Sequence, residues 1–381
     1  MNNVSLLKTF EQLPDPRIER TKKYPLNEII LLIVSAAISG CTGWQSIKYF
    51  GEEKLHWLRK FLPFKQGIPA DDTIARIVRR LCPQTFNKCF FEWTNNICTQ
   101  VDEDIIPIDG KTVRGSHDND RTITPIHVVS AWSDSNSVVL GQEKVDEKSN
   151  EITAIPRLLE MLDIKGCIIT IDSMGCQKDI AAQILAKKGD YILGLKGNQG
   201  NLHDDVDVFF TTALHTEFMD IEHDYHKETD SGHGRIEERE CWVIRPSDYK
   251  RCFSTIEQWK QLESIIMVKA TRHTKAKKTT ETRYYISSCV PDSKFLLGAI
   301  RKHWGVESMH WMLDVTFGED QSRIRKGDSA ENISILRKIA LNAMKKFTSV
   351  KTSVAGKIQK AILSDTFREE VLRKVMVISA N

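Results

Sequence analysis

The stretch Ile105-Ile106-Pro107-Ile108-Asp109-Gly110-Lys111 decides how the chain is read. The apolar run suggests a short buried strand, and Gly110 permits an immediate change of direction. An acid at that place points out of the end of a sheet, where a reacting group is accessible. An Asp-Gly pair is also a common hairpin turn, and on this stretch alone the turn is the simpler reading. A second strand-end acid shifts the balance. In Cys167-Ile168-Ile169-Thr170-Ile171-Asp172-Ser173-Met174-Gly175 an apolar strand again ends in a carboxylate followed by small residues.

Working outward, the alternating pattern gives strands over Ile105–Asp109, Ile126–Ser133 and Val138–Val145. A helix over Ile152–Leu162, a strand over Cys167–Asp172, a helix over Lys178–Lys188 and a strand over Tyr191–Lys196 follow. This is a mixed α/β layer with the order of a ribonuclease-H-like core. Upstream, helices are expected over Pro25–Gly40, Trp44–Phe61, Thr73–Leu81 (capped by Asp71 or Asp72) and, after a break at Pro83, Phe86–Val101. Arg76, Arg79 and Arg80 make the third of these basic, so the pair around Pro83 fits a helix-turn-helix or plain helical packing. Downstream of a loop at Asn198–Asn201, strands over Ile221–Glu228, Arg235–Ile244, Ser264–Thr271 and Thr280–Ser287 interrupt the α/β order. Helical pattern returns from Lys294, and again over Ser329–Phe347. The expected layout is a helical, candidate DNA-binding region 1–103, a core 104–198, an inserted β-rich subdomain 199–292 and a helical end of the core 293–381.

If the two strand-end acids lie on adjacent strands, they stand roughly 5 Å apart. Carboxylates that close repel unless one holds a proton or a cation sits between them. A third acid, Glu307, lies in His303-Trp304-Gly305-Val306-Glu307-Ser308-Met309-His310-Trp311, where helical spacing places His303, Glu307 and His310 on one face. Bulky Trp304 and Trp311 are expected to fix that helix against the core. A surface Glu is one reading. A zinc site is another, though the HExxH pattern is missing. The third is an Asp-Asp-Glu set for hard cations, Mg²⁺ or Mn²⁺, with two ions suited to phosphoryl transfer. Asp314, Glu319 and Asp320 are the alternatives for the third acid.

The 381 residues carry a net charge of only +3, so composition does not announce a nucleic-acid binder. From Gln321 onward, however, 13 Lys/Arg stand against 5 Asp/Glu, a segment that suits phosphate backbones or a solvated helical surface. The nine cysteines show no CxxC pair and read as thiols in a reducing compartment. The polar N-terminus and the shortness of the apolar run Ile29–Gly40 lead to the expectation of a cytoplasmic protein away from membranes.

Longer motifs then become familiar. Asp109-Gly110-Lys111-Thr112-Val113-Arg114-Gly115-Ser116 resembles the first catalytic motif of bacterial insertion-sequence transposases of the ISAs type, relatives of the H-repeat-associated proteins of Rhs elements. Glu147-Lys148-Ser149-Asn150-Glu151-Ile152, Thr170-Ile171-Asp172-Ser173-Met174-Gly175-Cys176-Gln177, Leu195-Lys196-Gly197-Asn198-Gln199, His233-Gly234-Arg235-Ile236-Glu237 and the Glu307 segment with Leu313-Asp314 look like the same family, in the same order. The resemblance implies a DDE transposase with a ribonuclease-H-like core, Asp109, Asp172 and Glu307 as its catalytic and metal-binding triad, and DNA as partner of a homo-oligomer. Basic residues in or beside these motifs, Lys111, Arg114, Lys196, Arg235, Arg301, His303 and His310, are the expected DNA contacts. A wider group of related transposases carries Tyr, Arg and Lys where this chain has Ile300, His303 and Asp314. No role passes to those three by position, and Arg301 and His303 are the basic substitutes. A nuclease on the same core and an inactive DNA-binding relic are the competing readings.

Overall fold

The computed structural model describes residues 5–99, 101–117, 124–146, 149–232, 235–274 and 277–378. Helices α1 (Leu6–Phe10), α2 (Leu26–Ala37), α3 (Trp44–Glu53), α4 (Leu55–Leu58), α5 (Asp71–Val78) and α6 (Pro83–Ile97) come first. They are followed by β1 (Ile105–Thr112), β2 (His127–Ser133), β3 (Val138–Lys144), α7 (Glu151–Met161), β4 (Ile168–Ile171), α8 (Lys178–Ala186) and β5 (Asp190–Leu195). Next come α9 (Gly200–His215), β6 (Asp224–Gly232), β7 (Arg235–Ile244), β8 (Ser264–Thr274) and β9 (Lys278–Ser287). Helices α10 (Ser293–Lys302), α11 (Trp304–Val315), α12 (Ser329–Lys346), α13 (Val354–Leu363) and α14 (Asp365–Lys374) complete the order. No helix among the described residues is long and apolar enough to cross a membrane.

The chain divides into two compact units. One comprises Met1–Gln100, Gly110–Ser149 and Glu307–Asn381. Its centre is α12, buried from Ser329 to Met344 except at Glu331. A helix enclosed on nearly all sides needs partners for its polar groups. Asn332 donates to the carbonyls of Val78 (2.8 Å) and Leu81 (3.0 Å), at and just past the end of α5. Asn342 accepts from the Val139 N–H and donates to the Val139 carbonyl, each at 2.8 Å, tying α12 to β3. Helices α2 and α6 also pack on α12. Strand order here is β3-β2 and then the end of β1.

The other unit comprises Val101–Asp109 and Asn150–Val306. Its strands run β1-β4-β5-β9-β8-β7-β6. Strands β1, β4 and β5 are parallel. From β5 onward the sheet is antiparallel, so the β-rich stretch joins the α/β part through β9. Helix α10 lies on β6 and β7. Its Leu296, Leu297, Ala299 and Ile300 share an apolar cluster with Ile105, Ile168, Ile192, Cys241, Val243, Ile266 and Val268. Burying those side chains fixes the strands and the helix that leads toward Glu307.

Several elements differ from the sequence expectations. Strand β1 does not turn at Gly110 but continues to Thr112. Its last residues lie beside β2, and Gly110 takes no positive φ. Helix α5 starts at Asp71 with Ala70 at its cap, so neither Asp71 nor Asp72 caps it; both sit in the first turn. Pro83 opens α6 instead of preceding it, because a first-turn proline loses no helical bond. Helix α9 was not anticipated, although Leu202, Val206, Phe210 and Ala213 are buried at helical spacing.

Candidate active site

Strands β1 and β4 pair in parallel register from Ile105↔Ile168 to Ile108↔Ile171. Asp109 follows Ile108 within β1, and Asp172 is the first residue past the end of β4. The two acids thus leave the ends of neighbouring parallel strands, which lie about 4.8 Å apart. Asp109 is half-buried and Asp172 open to solvent. The Asp172 carboxylate accepts the Met174 N–H at 3.0 Å, which folds the chain back just after the strand. Although Asp172 reaches solvent, the protein crowded around its carboxyl desolvates it enough to push it above its ordinary range. The charges of Glu151 and Asp109 push it further, against the pull of the Met174 and Gly175 N–H groups.

Two side chains of the Lys196–Gln199 motif hold that turn. Asn198 Nδ2 donates to the Ser173 carbonyl and Gln199 Nε2 to the Cys176 carbonyl, both at 2.6 Å. Gly194 on β5 leaves room for the turn. A Cβ there would stand 3.2 Å from the Ser173 nitrogen and 3.4 Å from the Asp172 carbonyl carbon. Glu151, Asn198 and Gln199 belonged to the motifs quoted above, but nothing in their spacing signalled these contacts.

His303 sits between α10 and α11 and shares a 2.9 Å hydrogen bond with the Thr170 hydroxyl, two residues before Asp172 on β4. Burial lowers its pKa and outweighs the opposing charges of Asp109 and Asp172, which favours the neutral imidazole. Glu307 lies exposed in the first turn of α11, whereas His310 is buried. The three residues are thus not presented alike, contrary to the helical-face expectation. Trp304 and Trp311 are 48% and 61% exposed and do not pin the helix to a core. Buried Val306, Met309 and Leu313 take that part.

Lys111 is not an open cation. Its ammonium donates to Asp314, to Glu319 at 2.9 Å and to Asp320 at 3.3 Å, with 12% of the side chain exposed. The same contacts occupy the three acids considered as alternatives to Glu307. Burial drives the Glu319 carboxyl upward, yet Lys338, Lys111 and Arg337 outweigh it and bring the pKa down to about 2. Among the other expected DNA contacts, Arg114 is 84% exposed, 3.8 Å from Asp320. Lys196 is exposed. Arg235 pairs with Glu237 at 3.0 Å, and Arg301 pairs with Glu228 (2.9 Å) and Asp230 (3.3 Å). Glu147, Lys148, His233 and Gly234 lie outside the described residues.

The basic C-terminal segment is partly turned inward. Arg337, Lys338, Lys357 and Arg368 are buried. Arg368 donates to the Ala361 carbonyl and to Asp365, and lies 4.9 Å from the centre of the Trp57 ring. Lys357 donates to the Met344 carbonyl at 2.7 Å.

Among the described residues no group of three or more His, Cys, Asp or Glu is gathered to hold a metal ion. The donor pair Asp109 and Asp172 nevertheless fits a hard cation. Both acids directly follow the last register partners of two neighbouring strands, and Asp172, raised first by desolvation and then by the charges of Glu151 and Asp109, is a carboxyl whose ionised form a cation would favour.

Residues 100–343 match the family described as Transposase DDE domain, and residues 7–94 match the family DDE_Tnp_1-associated. The chain belongs to the DDE transposase family of insertion sequences. It is 45% identical over 376 residues to "Putative transposase YncI" of Escherichia coli O157:H7, covering 98% of this chain and 95% of that one. To the "H repeat-associated putative transposase YhhI" of E. coli K12 it is 41% identical over 372 residues, 96% and 97% of the two chains.

Proposed function

We propose that the chain is a metal-dependent DNA transposase with a ribonuclease-H-like core that cleaves and joins insertion-sequence ends through Asp109, Asp172 and Glu307. The observation that carries this reading is that Asp109 and Asp172 directly follow Ile108 and Ile171, the last register partners of two neighbouring parallel strands, in a chain whose residues 100–343 match the transposase domain. The β3-β2-β1 and β1-β4-β5 strand orders support the core assignment. In this reading 1–103 is a helical DNA-binding region, 104–198 and 293–381 form the core, and 199–292 is an insertion that positions DNA ends.

The three carboxylates would hold Mg²⁺ or Mn²⁺, two ions in all, which when bound lower the cost of forming the attacking oxyanion and of releasing the leaving one. The chain's own groups prepare that place. Asn198 and Gln199 keep the turn after Asp172 closed. His303, favoured in its neutral form and bonded to Thr170, adds no positive charge in that form to compete with a cation. Exposed Arg114 and Lys196 would contact phosphates, with Arg235 at the start of β7, whereas Lys111 is held by three carboxylates and His310 is buried.

Cleavage places a water oxygen on phosphorus and expels a 3′-oxygen, which leaves as the hydroxyl. Joining repeats the displacement with that hydroxyl as nucleophile on target DNA. A homo-oligomer would hold two ends together for this step. The test is incubation of purified protein with labelled element ends and Mg²⁺ or Mn²⁺. A joined product supports transposition, cleavage without joining assigns a nuclease on the same core, and retention without cleavage assigns an inactive binder.

A further inference from the structure

Strand β1 carries Asp109 and, two positions on and therefore on the same side, Lys111. An ammonium has three N–H donors, and here three carboxylates take them: Asp314 in the last turn of α11, and Glu319 and Asp320 in the turn beyond it. No donor is left for a phosphate. The surplus negative charge is met deeper in the unit. Ser334 donates to Glu319 at 2.9 Å, Arg337 lies 4.0 Å from it, and Lys338 donates to Ser334 (3.0 Å) and to Gln142 on β3 (2.5 Å). A second lock lies at Gly115. A Cβ there would stand 2.5 Å from the Ser322 carbonyl oxygen and 2.6 Å from that of Asp320. The chain at and just after the end of β1 is thus clamped to residues 314–322 at two points, one ionic and one steric.

We propose that Lys111 is a positioning residue, whose ammonium fixes the end of β1 to the last turn of α11 and so sets the Asp109 carboxylate for cation binding. This rests on the triad reading above. Strand residues two apart move together, so releasing Lys111 lets the Asp109 carboxylate wander from the position its strand assigns it. Supporting groups that orient a metal ligand are typically worth about 10–100-fold in metal affinity.

The test is Mn²⁺ binding by the full chain without DNA, read from the paramagnetic resonance of free Mn²⁺, with circular dichroism on the same preparations. Lys111→Met is expected to weaken Mn²⁺ binding about 10–100-fold, and Lys111→Arg, which keeps the charge, to weaken it less. The salt dependence of DNA retention stays parental in both. Where Lys111→Met fails to fold, Lys111→Met with Asp314→Asn carries the same test with one repelling charge fewer. Parental Mn²⁺ binding in a folded Lys111→Met chain overturns the proposal and leaves the triad standing. A DNA salt slope smaller by about 0.9 makes Lys111 a phosphate contact and also overturns it. Mn²⁺ binding indifferent to Asp109→Asn overturns the triad reading, and the lysine's role falls with it.

Discussion

Asp109 and Asp172 stand one residue past Ile108 and Ile171, the last register partners of two parallel neighbouring strands. The backbone brings the two acids out of neighbouring strand ends, at about the spacing of a strand pair. Desolvation first, then the charge of Glu151 and then that of Asp109 raise the pKa of Asp172.

A stability gain from a damaging substitution is the first consequence. A carboxyl whose pKa is raised on folding binds protons more readily in the native state, so its ionised form opposes folding. The penalty is absent below the unfolded value, grows as pH rises through the folded one, and is complete above it. Asp172→Asn is expected to raise the urea midpoint at pH 7 while cleavage is lost, and to shrink the further rise that Mn²⁺ gives the parent. A lower midpoint than the parent's would contradict this.

Glu319 works in the opposite sense. Its pKa is depressed to about 2, so its ionised form supports the fold above the unfolded value, and that support is lost as pH falls from about 4.5 towards 2. Glu319→Gln leaves Lys338 and Arg337 buried without their carboxylate. Breaking a buried pair in this way costs about 3–5 kcal/mol. Urea midpoints from pH 7 to pH 3 should be lower for the variant at neutrality and converge with the parent's on the acid side.

Asn198→Ala removes the 2.6 Å bond to the Ser173 carbonyl. One such bond is worth about 1 kcal/mol, so the fold should survive while the turn after Asp172 loosens. Cleavage is expected to fall about fivefold or more, given that each 1.36 kcal/mol is a factor of ten, with DNA retention unchanged. Equal losses in retention and cleavage would make Asn198 a DNA contact instead.

DNA affinity should fall with salt, but less steeply than the 13 basic residues after Gln321 suggest, because four of them are buried. Each phosphate neutralised contributes roughly −0.9 to the slope of log K against log salt. Arg114→Ala and Lys196→Ala should each reduce the slope by about that amount, and Lys338→Met should leave it unchanged in a folded protein. A slope that ignores Arg114 and Lys196 would remove both from the interface.

Much of the frame was legible because it is written locally. Apolar runs ending in Asp109 and Asp172 marked two neighbouring strands, and β7 occupies the expected Arg235–Ile244. What escaped depends on partners far along the chain. Lys111 read as a free cation because Asp314, Glu319 and Asp320 lie some two hundred positions away. The inward turn of Arg337, Lys338 and Arg368 was hidden because charge in a helical pattern reads as surface. The size of Trp304 and Trp311 suggests core, yet smaller Val306, Met309 and Leu313 fill it. Helix α9 carries its periodic signal in Leu202, Val206, Phe210 and Ala213, masked by the strand-rich stretches on either side.

The central claim is that Glu307 completes the set begun by Asp109 and Asp172, and cleavage by Glu307→Gln tests it most directly. The substitution keeps size and helix propensity at an exposed position and removes the charge a hard cation needs. Strand cleavage of labelled ends is measured in Mg²⁺ and in Mn²⁺, with circular dichroism and DNA retention on the same preparations and Asp109→Asn and Asp172→Asn alongside. All three variants are predicted to fold and retain DNA. Each should lose cleavage by several kcal/mol of transition-state stabilisation, about a hundredfold or more. Near-parental cleavage by folded Glu307→Gln would contradict the account and remove Glu307 from the site.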